Sequence, residues 1–277
     1  MPKSNSNITV VNYSNWKNEY KDILDVLHNK KVLMLFSGGK DSSLALDFIS
    51  QAAEEFEFGF EVHAGAFPIH RYPEYEKDRI GSYWDSRGVE IIWHEFKETD
   101  EQIRNSENPC HACQGIRKKL LNKIVTERCD NLNSLFIVVS FSLWDIVGYS
   151  LERILGEIFI NPWNDNKALL SKRFIETAQR FYPILKMEEG YTVFRPFIKY
   201  NGSNIVEAVQ DIGLPINSIL CEFRNYRPKR VLENYYEKMG LKFDYDSVLK
   251  FAKSSLDLPD MAFYSTIGKD KYLDEYF

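Results

Sequence analysis

The chain lacks several features that mark membrane, secreted and nucleic-acid-binding proteins. It contains no run of 18 apolar residues, so a membrane-spanning helix is not expected. Its first residues have no apolar stretch of a signal peptide, and we expect residues 1–14 to form a disordered lead. With only 4 cysteines and a formal net charge of −5, it has neither a dense disulfide framework nor an overall basic surface. These absences predict a cytoplasmic protein that does not contact a membrane.

Apolar strands alternate with helical segments through most of the chain. Strands of this kind, separated by helices, form parallel sheets that are covered on both faces. We therefore predict an α/β fold with a doubly wound parallel five-stranded sheet in a domain over residues 15–200. A helical C-terminal extension over residues 201–277 would follow. The predicted strands are 32–36, 60–67, 89–94, 134–140 and 191–195, and the predicted helices are 15–29, 43–53, 74–87, 110–129, 144–156, 203–212, 228–239 and 245–254.

A loop with two adjacent glycines lies between the first predicted strand and its helix. Backbone N–H groups at the start of a helix attract anions, and glycine lets the chain approach a ligand closely. A lysine adds positive charge, and serine hydroxyls add donors. The loop therefore predicts a phosphate site, although it is neither a Walker A loop nor a dinucleotide fingerprint. Its six residues are Ser37, Gly38, Gly39, Lys40, Asp41 and Ser42.

Further candidate residues follow the other predicted strands. Ligands of parallel sheets bind beside the carboxyl ends of the strands, so Ala66, Phe67 and Phe141 should border a ligand held by the loop. Asp41 and Asp145 are candidates to hold a magnesium ion that bridges phosphate oxygens. For Asp145, a role at the start of the helix that follows is an equal alternative.

Two of the cysteines form a CxxC pattern. Cys110 and Cys113 follow Pro109, which suggests a helix start, and the dipole there favours thiolates. Zinc binding, a redox pair and chance all remain open for so short a pattern. Cys221 lies far downstream in a predicted loop, and Cys129, at a helix end, is expected to be a packed residue.

The order of these motifs resembles a known family. The loop matches the S-G-G-x-D-S sequence of the PP-loop ATP pyrophosphatases. The CxxC pattern, Arg117 soon after it and the distant Cys221 resemble the tRNA 2-thiocytidine synthase family and the related iron–sulfur-dependent tRNA thiolases. Arg195 and Pro196 match the Arg-Pro step that this family has in a late strand. The resemblance covers roughly residues 30–240.

The resemblance implies a fold of the adenine nucleotide alpha hydrolase type and a reaction that consumes ATP. In the family, the loop grips the β,γ-phosphates while a nucleophile attacks the α-phosphate, which would give Lys40 and Asp41 catalytic roles beside Mg²⁺. The three cysteines Cys110, Cys113 and Cys221 would hold a [4Fe–4S] cluster with one iron free of protein ligands. Zinc and a cysteine persulfide remain alternatives to the cluster.

The implied activity is that of a sulfurtransferase which adenylates a nucleobase carbonyl oxygen in tRNA and replaces it with sulfur. Arg117, Arg195 and Arg227 are the candidate substrate contacts, and for Arg195 a structural ion pair is the alternative. A cysteine desulfurase or free sulfide would supply the sulfur. Dimers are common in the family, which leaves a homodimer open.

The chain departs from the family after the fourth predicted strand. There the family has Gly-His-His-x-x-Asp-Asp, whereas residues 140–147 retain only Asp145 and the apolar pair after it. The loss of both histidines, together with the acidic pI, keeps a second hypothesis open: the same thiolation of a small molecule, such as a free purine or pyrimidine or a natural-product amide. A non-catalytic nucleotide sensor is a third hypothesis, which the three retained cysteines disfavour.

Overall fold

Six strands form one sheet in the order β3-β2-β1-β4-β6-β5. The computed structural model describes residues 11–65, 69–94, 100–158, 174–226 and 228–277. Neighbouring strands run parallel except β5, which is antiparallel to β6. The strands are Lys31–Phe36 (β1), Phe60–Gly65 (β2), Ile91–His94 (β3), Leu135–Val139 (β4), Ile184–Lys186 (β5) and Thr192–Phe194 (β6).

The predicted α/β fold is therefore confirmed, with one strand more than the five predicted. The five predicted strands are the parallel ones. The sixth, β5, has only three residues and lies at the edge of the sheet, so it is too short to show a strand periodicity.

Helices cover both faces of the sheet. The predicted helix 15–29 is divided into shorter pieces, and it begins inside the predicted lead, at Tyr13, because the Asn12 side chain caps its first turn. Among the described residues, no helix has the length and apolar character needed to cross a bilayer. The helices are Tyr13–Glu19 (α1), Lys21–Leu24 (α2), Lys40–Glu55 (α3), Glu74–Asp85 (α4), Asp100–Arg104 (α5), Pro109–Arg128 (α6), Leu143–Ile158 (α7), Gly202–Ile212 (α8), Pro228–Lys238 (α9), Tyr245–Ser255 (α10), Met261–Ser265 (α11) and Lys269–Lys271 (α12), followed by a π-helical turn, Tyr272–Tyr276.

The side chains of β1 point alternately into two apolar cores. Val32, Met34 and Phe36 face a core shared with α1, α3, α4 and α8, whereas Leu33 faces a core shared with α6, α7 and the helices after α8. Residues after 201 thus contribute to both cores. The division into domains 15–200 and 201–277 stays a prediction.

A pair of histidines lies between the sheet and α6. The rings of His63 on β2 and His94 on β3 stack with centroids 5.2 Å apart, and Nδ1 of His63 is 2.9 Å from Nε2 of His94. Burial lowers the pKa of both imidazoles, and the positive charge of Arg128 on α6 lowers them further. Glu61, whose carboxylate is 3.2 Å from Nε2 of His63, opposes this effect. The folded protein therefore favours the neutral pair.

We expect the free energy of unfolding to fall as the pH is lowered from 7.5 to 5.5. An unfolded histidine titrates at about pH 6.5, and the folded pair titrates lower, so the unfolded chain binds more protons in this range. Urea unfolding at both pH values measures the effect. His94→Gln should reduce the pH dependence, whereas His28→Gln, at an exposed position, should not. Equal pH dependence in the wild type and His94→Gln would contradict the assignment.

Candidate active site

The glycine loop joins β1 to α3 at the carboxyl edge of the sheet. Gly38 adopts a φ of +64°, a left-handed conformation, and a Cβ at this position would lie 2.1 Å from the Tyr72 hydroxyl oxygen. That hydroxyl donates to the carbonyl of Ser37 at 2.6 Å. Gly39 is the N-cap of α3 and offers no capping side chain. No side chain caps the first N–H groups of this helix, an arrangement that anion sites at helix starts use.

The two serines of the loop brace it from within. The Ser42 hydroxyl donates to the carbonyl of Gly39 at 3.0 Å and accepts the N–H of Ser37 at 3.2 Å. The Ser37 and Ser42 hydroxyl oxygens are 3.0 Å apart. Lys40 forms an ion pair of 2.6 Å with Asp41, and its ammonium lies 6.0 Å from the ring of Trp144. The loop thus presents a braced backbone and a lysine whose charge is matched by the neighbouring carboxylate.

A second segment, residues 215–219, packs directly on the loop. The N–H of Asn217 donates to the carbonyl of Gly38 at 2.7 Å, and the Ser43 hydroxyl donates to the carbonyl of Pro215 at 3.0 Å. Cys221 follows Asn217 by four residues, a stretch of chain that spans at most about 14 Å. The structure therefore keeps Cys221 near the loop, at most about 14 Å from Asn217, a relationship that the distance between the two motifs in the sequence conceals.

The CxxC pattern occupies the first turn of α6. Pro109 is the first residue of this helix, and the Asn108 side chain accepts the N–H of His111 at 3.1 Å as a cap. None of the four cysteines forms a disulfide; Cys113 is buried, and Cys110 and Cys221 are half-buried. This confirms the predicted helix start.

Cys110 meets the turn that carries Cys221. Its thiol donates to the carbonyl of Phe223 at 3.4 Å, and this turn is closed by a hydrogen bond of 3.1 Å from the N–H of Arg224 to the carbonyl of Cys221. Cys129 ends the same helix as its C-cap, about 28 Å away along the axis, and its thiol donates to the carbonyl of Asn131. The structure thus separates Cys129 from the other three cysteines.

Asp145 lies beneath the predicted crevice, at the start of α7. It is buried, and its Oδ2 accepts the N–H and the hydroxyl of Ser142 at 2.8 and 3.1 Å. It also forms an ion pair with Lys229 of α9. These contacts match the helix-start role, and the magnesium role stays a prediction.

Arg195 lies in the structural setting that was the alternative to a substrate contact. Its side chain is fully buried, and the guanidinium donates to the carbonyl of Tyr182 at 2.9 Å, to the hydroxyl of Tyr272 at 3.1 Å and to the side chain of Gln179. Because the side chain is fully buried, the substrate-contact role stays a prediction. The structural alternative fits, although the partners are neutral groups rather than an ion pair.

The remaining predicted residues have separate outcomes. Ala66, Phe67 and Arg227 lie outside the described residues. Phe141 is half-buried, and the guanidinium of Arg180 lies 4.8 Å from its ring. Arg117 is half-buried on α6, and its charge opposes the rise that burial causes in the pKa of Tyr72, the residue that contacts the loop.

Sequence reasoning missed a polar group beside the cysteines. The side chains of His70, Asp100 and Glu222 bring one ligand atom each within 4.8 Å of the others. They lie 30 and 152 positions apart along the chain, counted from the histidine. No local spacing could have revealed them, because only the folded chain brings them together.

The loop sequence and the sheet are similar to those of PP-loop proteins, whose fold is of the adenine nucleotide alpha hydrolase kind. No family model matches the sequence. The chain is 24% identical over 190 residues to a tRNA-cytidine(32) 2-sulfurtransferase of Bordetella pertussis, covering 67% of this chain and 52% of that relative. The enzyme of the same name from Bordetella bronchiseptica gives the same values. The chain therefore spans about half the length of these relatives.

One solved structure supports the fold. The U34-tRNA thiolase NcsA from Methanococcus maripaludis, determined with its [4Fe-4S] cluster, superposes with a TM-score of 0.60 at 19% identity. The match covers 89% of this chain and 79% of that one. The resemblance predicted from the sequence motifs is thus confirmed.

Gly38→Ala should lower the melting temperature, because a left-handed conformation costs a residue with a Cβ about 1–2 kcal/mol and the new methyl must displace the Tyr72 hydroxyl. Gly39→Ala is the matched control, since its Cβ would meet nothing closer than 3.5 Å. Thermal unfolding of both variants tests the loop geometry. Equal melting temperatures would show that the strain does not exist in solution.

Arg195→Met should lower the free energy of unfolding by at least about 1–3 kcal/mol, the cost of one buried polar group left without a partner. Lys186→Met, at an exposed position on the adjacent strand β5, should be nearly neutral. Denaturant unfolding measures both, and titration with ATP should show unchanged affinity in the folded Arg195 variant. Weakened ATP binding with unchanged stability would restore the predicted ligand contact.

Proposed function

We propose that this protein is an ATP-dependent sulfurtransferase that replaces a nucleobase carbonyl oxygen in tRNA with sulfur. One observation carries the proposal: the hydrogen bond from Asn217 to Gly38 ties the phosphate loop to the segment that leads to Cys221. A phosphate site and a thiol site within one short stretch of chain suit a reaction that first activates an oxygen and then replaces it.

The loop residues would carry the activation step. N–H groups at the start of α3 and the Lys40 ammonium would bind the β- and γ-phosphates of ATP and balance the charge that develops on pyrophosphate. The carbonyl oxygen of the base attacks the α-phosphorus, the bond to the bridging oxygen breaks, and pyrophosphate leaves. Asp41 would hold Mg²⁺ at the phosphates, because its carboxylate is partly exposed although it pairs with Lys40. Asp145 is the weaker candidate, because its carboxylate is buried against Lys229.

The cysteines suit an iron–sulfur cluster. The thiols of Cys110, Cys113 and Cys221, none of which forms a disulfide, are the donor set of a [4Fe–4S] cluster. A zinc ion held by the same thiols is the alternative. When bound, the cluster would supply one iron without a protein ligand, where sulfide can be held. Sulfide then displaces AMP from the activated base and leaves a thiocarbonyl.

Transfer RNA is the proposed substrate because the relatives similar in sequence are named for it. Basic side chains accompany the thiols: Arg117 lies on the CxxC helix and exposed Arg224 closes the Cys221 turn. Arginines placed in this way can contact an RNA backbone. A cysteine desulfurase or free sulfide is the proposed sulfur source, and the proposed location is the cytoplasm.

Mass spectrometry of thiolated species tests the proposal in cells that express the wild type and variants. A thionucleoside in hydrolysed tRNA should be present with the wild type and absent with Cys110→Ala and with Lys40→Ala, because each removes one half of the reaction. Cys129→Ala is the matched control, since this cysteine lies at the far end of α6, and the product should persist.

Other outcomes would redirect the proposal. A thiolated small molecule with unchanged tRNA would assign the same chemistry to the free-metabolite hypothesis. If no thiolated species depends on Lys40 or Cys110, the sulfurtransferase proposal is wrong, and a nucleotide sensor remains.

A further inference from the structure

His70, which lies in the 3₁₀ turn Ile69–Arg71, has both ring nitrogens engaged in defined hydrogen bonds. Its Nε2 accepts the N–H of Glu222 at 3.0 Å, so this nitrogen carries no proton. Its Nδ1 therefore carries the proton and donates it to Oδ2 of Asp100 at 2.8 Å. The same carboxylate oxygen also accepts the backbone N–H of His70 at 2.8 Å. Asp100 thus fixes both the position and the tautomer of the ring.

This ring holds the turn that carries Cys221. Glu222 directly follows that cysteine, and the next residue, Phe223, packs its buried ring against His70 with centroids 5.6 Å apart. The carbonyl of Phe223 is the group that accepts the Cys110 thiol at 3.4 Å. His70 therefore contacts Glu222 and Phe223, the two residues that follow Cys221. Phe223 in turn contacts the Cys110 thiol.

Helix α5 reinforces the same turn. Asp100 begins this helix and Arg104 ends it, and the guanidinium of Arg104 donates to the Glu222 carboxylate at 2.7 Å. Helix α5 also packs against α6, the helix that begins with the CxxC pattern. The turn is consequently held by an element that also contacts the helix of the other two cysteines.

We propose that His70, oriented by Asp100, is a positioning residue that fixes Cys221 opposite Cys110 and Cys113. His70, Asp100 and Glu222 are a clamp and not a metal site of their own, because both ring nitrogens of the histidine are already used. The inference rests on the proposed function only in assigning one shared iron–sulfur cluster to the three thiols. The placement of the thiols stands on the contacts themselves.

A thiol-bridging reaction tests the placement without any cluster. In full-length cluster-free protein that carries Cys113→Ser and Cys129→Ser, dibromobimane can join Cys110 and Cys221, with two C–S bonds formed and two bromides released. We expect His70→Ala to slow the bridging at least about fivefold, the factor for one lost hydrogen bond. His70→Gln should retain most of the rate because its amide oxygen can accept the N–H of Glu222. His28→Ala, at an exposed position, is the control.

Iron loading gives a second readout. After anaerobic reconstitution with iron and sulfide, the His70→Ala protein with all its cysteines should bind less than half the iron of the wild type, and His70→Gln should bind more than His70→Ala. Equal bridging rates for His70→Ala and the wild type would overturn the positioning role, even if iron loading and tRNA thiolation succeed. Slower bridging in His70→Ala, together with no tRNA thiolation by the wild type, would support the positioning role and refute the proposed function.

His70→Ala is unfolded if it loses the circular dichroism signal that His28→Ala retains. In that case Asp100→Ala replaces it in the bridging test. This variant keeps the imidazole but frees its tautomer, so bridging should be slowed, and less than by loss of the ring. Unchanged bridging in folded Asp100→Ala would then overturn the proposal.

Discussion

The hydrogen bond from the N–H of Asn217 to the carbonyl of Gly38 is the contact on which the arrangement of the site depends. Gly38 can offer this carbonyl because its left-handed conformation turns the backbone outward and the absence of a Cβ leaves room for Tyr72. The segment after Asn217 is thereby held to the carboxyl edge of the sheet. Phosphate loop and thiol turn are fixed to each other through the backbone, so their relation does not depend on mobile side chains.

Three ion pairs of the described residues lie near this edge. Lys40 pairs with Asp41, Arg104 with Glu222, and Lys229 with the buried Asp145. A bound polyphosphate would compete with carboxylates for these cations, and a metal ion that takes over a carboxylate would release a lysine to the phosphates. The ion pairs therefore keep the site ordered and leave its charges available to a ligand.

Much of the fold could be predicted because its cues are local. The apolar run at β1, Pro109 at the start of α6 and the double glycine before α3 each act within a few residues, as strand burial, capping and turn geometry do. Where several weak local cues had to combine, the prediction failed: β5 has three residues, and the first predicted helix was divided into pieces.

From the sequence alone we predicted the five parallel strands, most of the long helices, the position of the glycine loop and the CxxC pattern at a helix start. Tertiary structure alone decided which of these residues meet. It buried Arg195 among neutral partners and joined His70 to Asp100 and Glu222 across 30 and 152 positions. The difference lies in the distance along the sequence over which each effect acts. Periodicity and helix caps act within one or two turns of chain, whereas a site forms where loops distant in sequence leave the same edge of the sheet.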